Sequence, residues 1–159
     1  MSHYFITGAS AGIGAALAKM LTDDGHAVSA VARRKQRLAE IENATDLFRG
    51  YAADVRDADA IAAAVASSHE RFGPVDVAIL NAGIYVPQDS KHIEPGVYAD
   101  HMNINYMGVV NALAAVVPKM LAAGRGHIIL ISSVAGWRGL PKAAAYGPTK
   151  AALISLAES

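Results

Sequence analysis

Short apolar runs alternate with helical patterns along the whole chain. Each run is followed by a segment in which apolar residues return at intervals of three and four, as on one face of a helix. The runs predict strands at 3–7, 27–32, 47–53, 75–80 and 127–132. The segments between them predict helices from Ile13 to the Gly25 stop, within 33–43, at 58–72, after a loop at 84–95, and around 146–150.

Strand–helix alternation with near-continuous apolar strands is typical of an α/β protein, in which a parallel sheet is covered by helices on both faces. Right-handed crossovers make such a sheet doubly wound. We find no internal repeat and no linker, so 1–159 is predicted to form a single domain. Ligands of such sheets bind beyond the carboxyl ends of the strands, and chemistry is expected in the segments that follow those ends.

The first strand runs into a glycine-rich turn, Thr7-Gly-Ala-Ser-Ala-Gly-Ile-Gly14. Its spacing differs from G-x-G-x-x-G because the wide gap comes first. Small residues still permit a tight turn, and free N–H groups and the helix dipole favour a pyrophosphate at the helix N-terminus. A turn that merely prefers glycine is the alternative. In this context the turn predicts dinucleotide binding, with contacts from Gly8, Ser10, Gly12, Ile13 and Gly14.

The second strand ends at Ala32 and is followed by Arg33, Arg34 and Lys35. An acidic residue at this place would accept hydrogen bonds from the adenosine ribose and favour NAD. Guanidinium groups instead suit a 2′-phosphate. The sequence therefore predicts NADP, with NAD less favoured, and makes Arg33 the primary contact and Arg34 a weaker candidate. A solvated basic start to a helix is the alternative, and it describes Lys35 and Arg37 best.

Two further strand ends carry candidate cofactor contacts. After the third strand, the Asp54 carboxylate can accept from an adenine amino group while Val55 supplies a backbone N–H. Helix capping would explain Asp54 equally well, although Asp57 is the better placed cap. After the fourth strand, Asn81-Ala82-Gly83 offers small residues where a cofactor must pass close to the sheet, with a plain turn as the alternative.

The last segments carry candidate catalytic groups. Ser133 follows the fifth strand, and Tyr146 and Lys150 are four residues apart on one side of a helix. A phenol keeps its proton at neutral pH, but a neighbouring ammonium favours the phenolate, so such a pair can both donate and accept a proton near pH 7. From the spacing alone, a solvated pair on a helix surface is the alternative.

Asn105 falls on the apolar face of the long helix after residue 95. A buried Asn needs hydrogen-bond partners, and a core Asn satisfied by the backbone is the alternative to a catalytic role. Gly108, one turn further along, costs about 1 kcal/mol relative to Ala in a helix, which indicates close packing at this position.

Together these residues resemble the short-chain dehydrogenase/reductase family. Its features occur in order as Thr7-Gly-x-x-x-Gly-x-Gly14, Asp54, Asn81-Ala-Gly83, Asn105-x-x-Gly108, and Ser133 with Tyr146-x-x-x-Lys150. The resemblance implies a Rossmann fold and an NAD(P)-dependent oxidoreductase that interconverts a carbonyl and an alcohol. A nucleotide-binding module without turnover is the alternative, and a scaffold that retains only the fold is a third hypothesis.

The resemblance also implies roles for single residues. Tyr146 would be the general acid or base, and Ser133 would hydrogen-bond the substrate oxygen. Lys150 would bind the nicotinamide ribose and favour the phenolate, and Asn105 would hold a water that relays protons. Tyr85, Val86, Trp137 and Leu140 lie in loops beside this end and are expected to line a partly apolar substrate pocket, although loop packing explains Trp137 equally well.

Family members continue past the helix in which this sequence stops at Ser159. The resemblance therefore implies that the C-terminal strands, the segment that covers the substrate and part of the dimer surface lie outside the sequence. The chain corresponds to the N-terminal two-thirds of a member. A full-length protein is expected to form a homo-oligomer, either a dimer or a tetramer.

Amino-acid composition excludes several other classes of protein. Hydrophobic residues make up 53% and charged residues 18%, which is typical of a globular chain. Fourteen basic and fourteen acidic residues balance, which argues against a general nucleic-acid surface. Cysteine is absent, and the six histidines lack ligand spacing, so no metal is expected. Without a signal peptide pattern or an apolar run near 18 residues, the sequence predicts a cytoplasmic protein without a membrane partner.

Overall fold

The computed structural model describes residues 1–89 and 91–159. Within them, five strands form one parallel sheet in the order β3-β2-β1-β4-β5. The strands are β1 His3–Thr7, β2 Ala27–Ala32, β3 Phe48–Ala52, β4 Val77–Leu80 and β5 His127–Leu130. The predicted parallel sheet is confirmed, although β3, β4 and β5 are shorter than predicted.

Helices connect the strands as the periodicity predicts. They are α1 Gly12–Asp23, α2 Lys35–Glu42, α3 Ala58–Phe72, α4 Pro95–Met102, α5 Gly108–Ala123 and α6 Gly147–Glu158. A π-helical turn, Asn103–Met107, joins α4 to α5, and a 3₁₀ turn, Val134–Gly136, follows β5. Tyr146 lies directly before α6 and already has helical φ and ψ of −84° and −49°.

Both faces of the sheet are buried at its three inner strands, β2, β1 and β4, which explains their near-continuous apolar sequences. Successive residues of β1 point to opposite faces: Phe5 packs with residues of α3, α5 and α6, whereas Ile6 packs with residues of α1 and α2. Each face therefore has its own hydrophobic core. The doubly wound α/β class predicted from the sequence is confirmed.

The strand order reverses between β1 and β4. From β1 the chain adds β2 and β3 on one side, then returns through α3 to place β4 on the other side of β1. The connections after β1 and β4 therefore leave the sheet in opposite directions and open a crevice at their carboxyl ends. This crevice positions the site described below.

The buried face of α1 differs from the prediction. The helical spacing of apolar residues predicts a buried face made of Ile13, Ala16, Leu17, Met20 and Leu21, yet Ile13 is 61% and Met20 is 53% exposed. The buried residues are instead Gly14, Ala18 and Thr22, and Leu17 and Leu21 are partly buried against the same core. Gly14 sits so close to the turn after β1 that an added Cβ would lie 2.5 Å from the carbonyl oxygen of Gly8. Close approach selects small side chains at the buried positions and leaves Ile13 and Met20 exposed.

The helices α4 and α5 and the turn between them form one helical segment, Pro95–Ala123, of 29 residues. By length and composition alone it meets the criterion for a membrane span, because an 18-residue window has a mean hydropathy of 1.5. In this structure 28% of that window is buried. A core helix of a globular protein meets the same criterion. Residues of α5, including Val109 and Val116, belong to one of the two cores of the sheet.

At the start of β1, His3 is a buried histidine with 3% exposure. Its Nδ1 lies 2.9 Å from the carbonyl oxygen of Gly73, which can only accept, so Nδ1 carries the hydrogen. Its Nε2 therefore accepts from the Ser29 hydroxyl at 2.9 Å. Burial lowers the pKa of His3, and the backbone carbonyl of Gly73 and the Asp76 carboxylate only partly oppose this effect. The neutral imidazole is thus part of the folded core.

We expect the free energy of unfolding to fall as the pH drops below about 6.5, because the unfolded chain then binds a proton on His3 that the folded chain resists. Since the folded pKa is lowered, the stability is fully present above the unfolded pKa and is lost on acidification. Urea unfolding at about pH 7.5 and about pH 5.5 measures this change in the free energy of unfolding. A His3→Gln variant should be less stable than the wild type at the higher pH, but its free energy of unfolding should fall less between the two pH values. Equal falls in the two proteins would contradict a neutral, buried His3.

Candidate active site

The segments after β1, β2, β3 and β4 line one cleft of about 780 Å³. Its walls contain most of the residues predicted to contact a dinucleotide: Gly8, Ser10, Ile13, Arg33, Arg34, Asp54, Val55, Asn81, Ala82 and Gly83. Of the other four predicted cofactor contacts, Gly12 and Gly14 lie beside the cleft, and Tyr146 and Lys150 belong to the candidate catalytic group described below. Gly12 is exposed at the first position of α1, and Gly14 is buried under the turn.

The turn after β1 and the end of β4 are held together by polar groups. The Thr7 hydroxyl accepts from the backbone N–H groups of Asn81 and Ala82, each at 3.1 Å. In return, Nδ2 of Asn81 donates to the carbonyl oxygens of Thr7 at 3.1 Å and Gly8 at 3.4 Å. The Asn81 amide nitrogen therefore holds the glycine-rich turn in place, while Asn81 itself lines the cleft.

Two glycines in this turn are required for different reasons, Gly8 for close packing as well as its backbone conformation and Gly12 for its backbone conformation only. Gly8 has a φ of +77°, and a Cβ there would lie 2.7 Å from Cα of Ala82. Gly12 has a φ of +56° but faces open space, so its requirement is conformational alone. The N-cap of α1, Ala11, provides no capping side chain. The first N–H groups of α1 are thus left for an anionic ligand.

Two guanidinium groups stand at the end of β2. The Nε and Nη2 atoms of Arg34 donate to the Ser10 hydroxyl at 3.1 and 3.0 Å. Arg34 therefore spans from the second strand end to the glycine-rich turn, whereas Arg33 is exposed at the rim of the cleft. The sequence pattern makes Arg33 the stronger candidate, but the geometry gives Arg34 the better defined position.

Asp54 has a partner that the sequence pattern does not reveal. Arg56 donates to it from Nε at 3.1 Å, from Nη2 at 2.8 Å and from its backbone N at 3.0 Å. These hydrogen bonds, with a smaller contribution from Arg33, lower the pKa of Asp54. A carboxylate offers about four lone-pair positions, so one remains for an adenine amino group. Capping of α3 is confirmed for Asp57, whose side chain accepts from the N–H of Ala60 at 2.9 Å.

The loop after β3 is positioned by α5. Nδ2 of Asn111 donates to the carbonyl oxygen of Val55 at 2.9 Å. A Cβ added at Gly108 would lie 2.6 Å from Cγ2 and 2.9 Å from Cβ of Val55. The close packing expected at Gly108 is confirmed, and Val55 is the residue that needs the space. Asn111 lies three residues after Gly108, on the same side of the helix, and was missed by sequence reasoning.

Asn105 lies in the π-helical turn and is 0% exposed. Its Oδ1 accepts from the N–H of Ile84 at 2.7 Å, and its Nδ2 donates to the carbonyl oxygen of Ile84 at 3.0 Å and to the Thr149 hydroxyl at 3.1 Å. Thr149 in turn donates to the carbonyl oxygen of Tyr146 at 2.7 Å. Both amide hydrogens are thus used within the protein. A water that relays protons, as the resemblance implies, could therefore hydrogen-bond only to the second lone pair of Asn105 Oδ1 or to nearby backbone atoms.

Lys150 is buried beside Tyr146. Its Nζ donates to the carbonyl oxygen of Ile131 at 2.6 Å and lies 5.6 Å from the centroid of the Tyr146 ring. Burial lowers the pKa of Lys150. A Cβ at Gly83 would lie 3.7 Å from this Nζ and 3.2 Å from Oδ1 of Asn105, so both atoms flank the end of β4. The candidate catalytic helix therefore meets the cleft at Gly83.

Ser133 caps the 3₁₀ turn after β5, since its hydroxyl oxygen accepts from the N–H of Ala135 at 3.1 Å. The hydroxyl hydrogen stays available for a substrate oxygen. Beside this end, the Tyr85 ring packs on the Tyr146 ring with centroids 5.1 Å apart and planes tilted by 59°. Trp137, another expected pocket residue, is 84% exposed, and Leu140 is half-buried.

Comparison with known proteins identifies the class. The short chain dehydrogenase family profile matches residues 2–159, and the chain belongs to this family. The 3-dehydrosphinganine reductase TSC10B of Arabidopsis thaliana is 38% identical over 165 residues, which cover 99% of this chain and 49% of the relative. The chain thus spans about half the length of this relative.

Solved structures agree with the fold. The closed form of serine dehydrogenase complexed with NADP⁺ superposes with a TM-score of 0.92 at 30% identity, covering 97% of this chain and 63% of the other. The NAD⁺-bound xylitol dehydrogenase superposes with a TM-score of 0.93 at 30% identity, covering 99% and 62%. Both dinucleotides therefore occur among structures similar to this chain.

Replacement of Gly108 by Ala should destabilise the protein although Ala is the better helix former. The added methyl group overlaps Val55, and overpacking costs about 1–3 kcal/mol, against a gain in helix propensity of about 1 kcal/mol. We expect a net loss of about 1 kcal/mol in the free energy of unfolding, measured by urea titration. The matched control is Gly96→Ala in the first turn of α4, where an added Cβ meets no atom within 4 Å. A Gly108→Ala variant as stable as that control would contradict the packing.

Proposed function

We propose that the protein containing this chain is an NADP-dependent oxidoreductase that interconverts a carbonyl and an alcohol by hydride transfer, with Tyr146 as general acid and base. The observation that carries the proposal is the meeting of two sites at Gly83: the cleft lined by four strand ends, and the pair formed by Tyr146 and Lys150. Membership of the short chain dehydrogenase family supports it.

The residues of the cleft fit a dinucleotide phosphate. The uncapped first turn of α1 and the close-packed Gly8 suit a pyrophosphate. Ser10 and Arg34, already joined by two hydrogen bonds, and Arg33 beside them supply donors for a 2′-phosphate. The remaining lone pair of Asp54 suits the adenine amino group. When bound, NADPH supplies the hydride, and the protein supplies position and electrostatics.

The proton is handled by the chain itself. In the direction of reduction, the Tyr146 hydroxyl donates its proton to the carbonyl oxygen as negative charge develops there. Ser133 donates its hydroxyl hydrogen to the same oxygen and stabilises that charge. The Lys150 ammonium, held by Ile131, favours the phenolate that remains on Tyr146. In the direction of oxidation each step runs in reverse.

The substrate is proposed to be a small-molecule carbonyl compound with an apolar part, because Tyr85 and Val86 are exposed beside Tyr146. The relative named as a reductase of a keto compound supports reduction as the direction. A homo-oligomeric state, a cytoplasmic location and the lack of membrane and nucleic-acid partners stay predictions from the sequence. Nucleotide binding without turnover is the outcome that would replace the enzymatic proposal.

Replacement of Tyr146 by Phe should lower kcat at least about 100-fold, because the proton donor is removed while the ring that packs on Tyr85 is kept. NADPH oxidation with a panel of aldehydes and ketones, followed by absorbance, measures the rate in the full-length protein. Tyr4→Phe is the matched control, since Tyr4 lies near the amino end of the central strand β1, away from the carboxyl ends that line the cleft. Unchanged turnover in the Tyr146 variant would refute the assignment.

Replacement of Arg34 by Ala should raise the Kd for NADPH about 10- to 100-fold and leave the Kd for NADH nearly unchanged. The loss follows from the removal of charged donors to the 2′-phosphate. Cofactor fluorescence titration measures both constants. Arg37→Ala is the control, because Arg37 is exposed and paired with Glu40 at 3.0 Å on the outer side of α2. Equal losses for both cofactors would show that Arg34 does not select the phosphate.

A further inference from the structure

His101 is a fully buried residue of α4 that the proposed mechanism does not use. Its Nδ1 lies 2.7 Å from the carbonyl oxygen of Val97, which can only accept, so Nδ1 carries the hydrogen. Its Nε2 then presents a lone pair, which accepts the backbone N–H of Val86 at 3.0 Å. A neutral imidazole thus bridges α4 to the loop that follows β4.

Three hydrogen-bonding positions hold this loop. The N–H and C=O of Ile84 bond to Asn105, the N–H of Val86 bonds to His101, and the N–H of Gln88 donates to the carbonyl oxygen of Lys142 at 3.0 Å. Tyr85 lies between the first two positions, and its backbone direction is therefore fixed from both sides. The Tyr85 side chain is still 52% exposed.

The position of Tyr85 matters for Tyr146. The two rings are in contact at 5.1 Å, and Tyr85 is open to solvent on its other side. A half-exposed ring does not hold one orientation by burial alone, so the backbone on which it stands must hold it. Of the two neighbours of Tyr85, Val86 is held by a side chain outside the family motif.

We propose that His101 is a positioning residue of the active site: by accepting the Val86 N–H it holds Tyr85 against Tyr146, and so sets both the orientation of the Tyr146 ring and one wall of the space that the substrate carbonyl enters. The inference rests on the proposed acid–base role of Tyr146. A histidine with only a packing role would fill space and make its hydrogen bonds within its own helix. His101 makes one such bond with Val97, but its Nε2 accepts the N–H of Val86 in a loop that is otherwise largely exposed.

Hydrogen exchange tests the bond without any activity measurement. We expect the Val86 amide to be protected in the wild-type protein, to lose protection in His101→Leu, which has no acceptor, and to keep it in His101→Gln, whose Oε1 replaces Nε2. The amides of β1 serve as the internal reference. A Val86 amide equally protected in the leucine variant would overturn the proposal. If that variant does not fold, ¹⁵N NMR of the wild type decides, since an Nε2–H tautomer of His101 is incompatible with the bond.

A double-mutant cycle tests the link to chemistry, with NADPH and 4-nitrobenzaldehyde as the probe. We expect His101→Leu to lower kcat roughly tenfold while the KM for NADPH stays unchanged, and His101→Gln to retain activity. In a Tyr85→Ala background the same His101 change should cost nothing further. Additive losses would show that His101 acts by another route. Failure of the proposed function itself is distinguishable, because Tyr146→Phe would then be fully active while the Val86 exchange result is unaffected.

Discussion

The buried amide of Asn105 is the interaction on which the candidate active site depends. Its Oδ1 and Nδ2 bond to both backbone groups of Ile84 after β4 and to the Thr149 hydroxyl in α6. Through Thr149 it reaches the carbonyl oxygen of Tyr146. Three segments that are far apart in the chain are thereby held in one arrangement, and a buried amide left without these partners would be costly.

The other half of the site is organised by Thr7 and Asn81 in a similar way. Their reciprocal hydrogen bonds join the ends of β1 and β4 at the point where the strand order reverses. Because Gly8 and Gly14 lack side chains, the turn lies close against this junction. Rigid positioning of a phosphate site and of a proton donor at the same edge of one sheet is what the proposed chemistry requires.

Much of the fold could be predicted from the sequence because the signals are local. The strand at 27–32 and the helix at 58–72 follow from apolar runs, periodicity and the caps around them, and the structure has them at the same bounds. Where the prediction is wrong, tertiary contact is the reason. Ile13 satisfies the helical period but is exposed, since α1 packs through small residues. Leu121 continues the helical spacing of the apolar residues Val117 and Met120 in α5, yet it is 76% exposed.

The class of fold, the family and the set of residues at the strand ends can be read from the amino-acid sequence, because motif spacing and hydrophobic period are properties of the chain alone. The contacts that those residues make follow from the folded arrangement. It paired Asp54 with Arg56 and joined Arg34 to Ser10. It also brought His101 to Val86. A hydrogen bond between segments depends on where each backbone passes, and no pattern within a single segment contains that information.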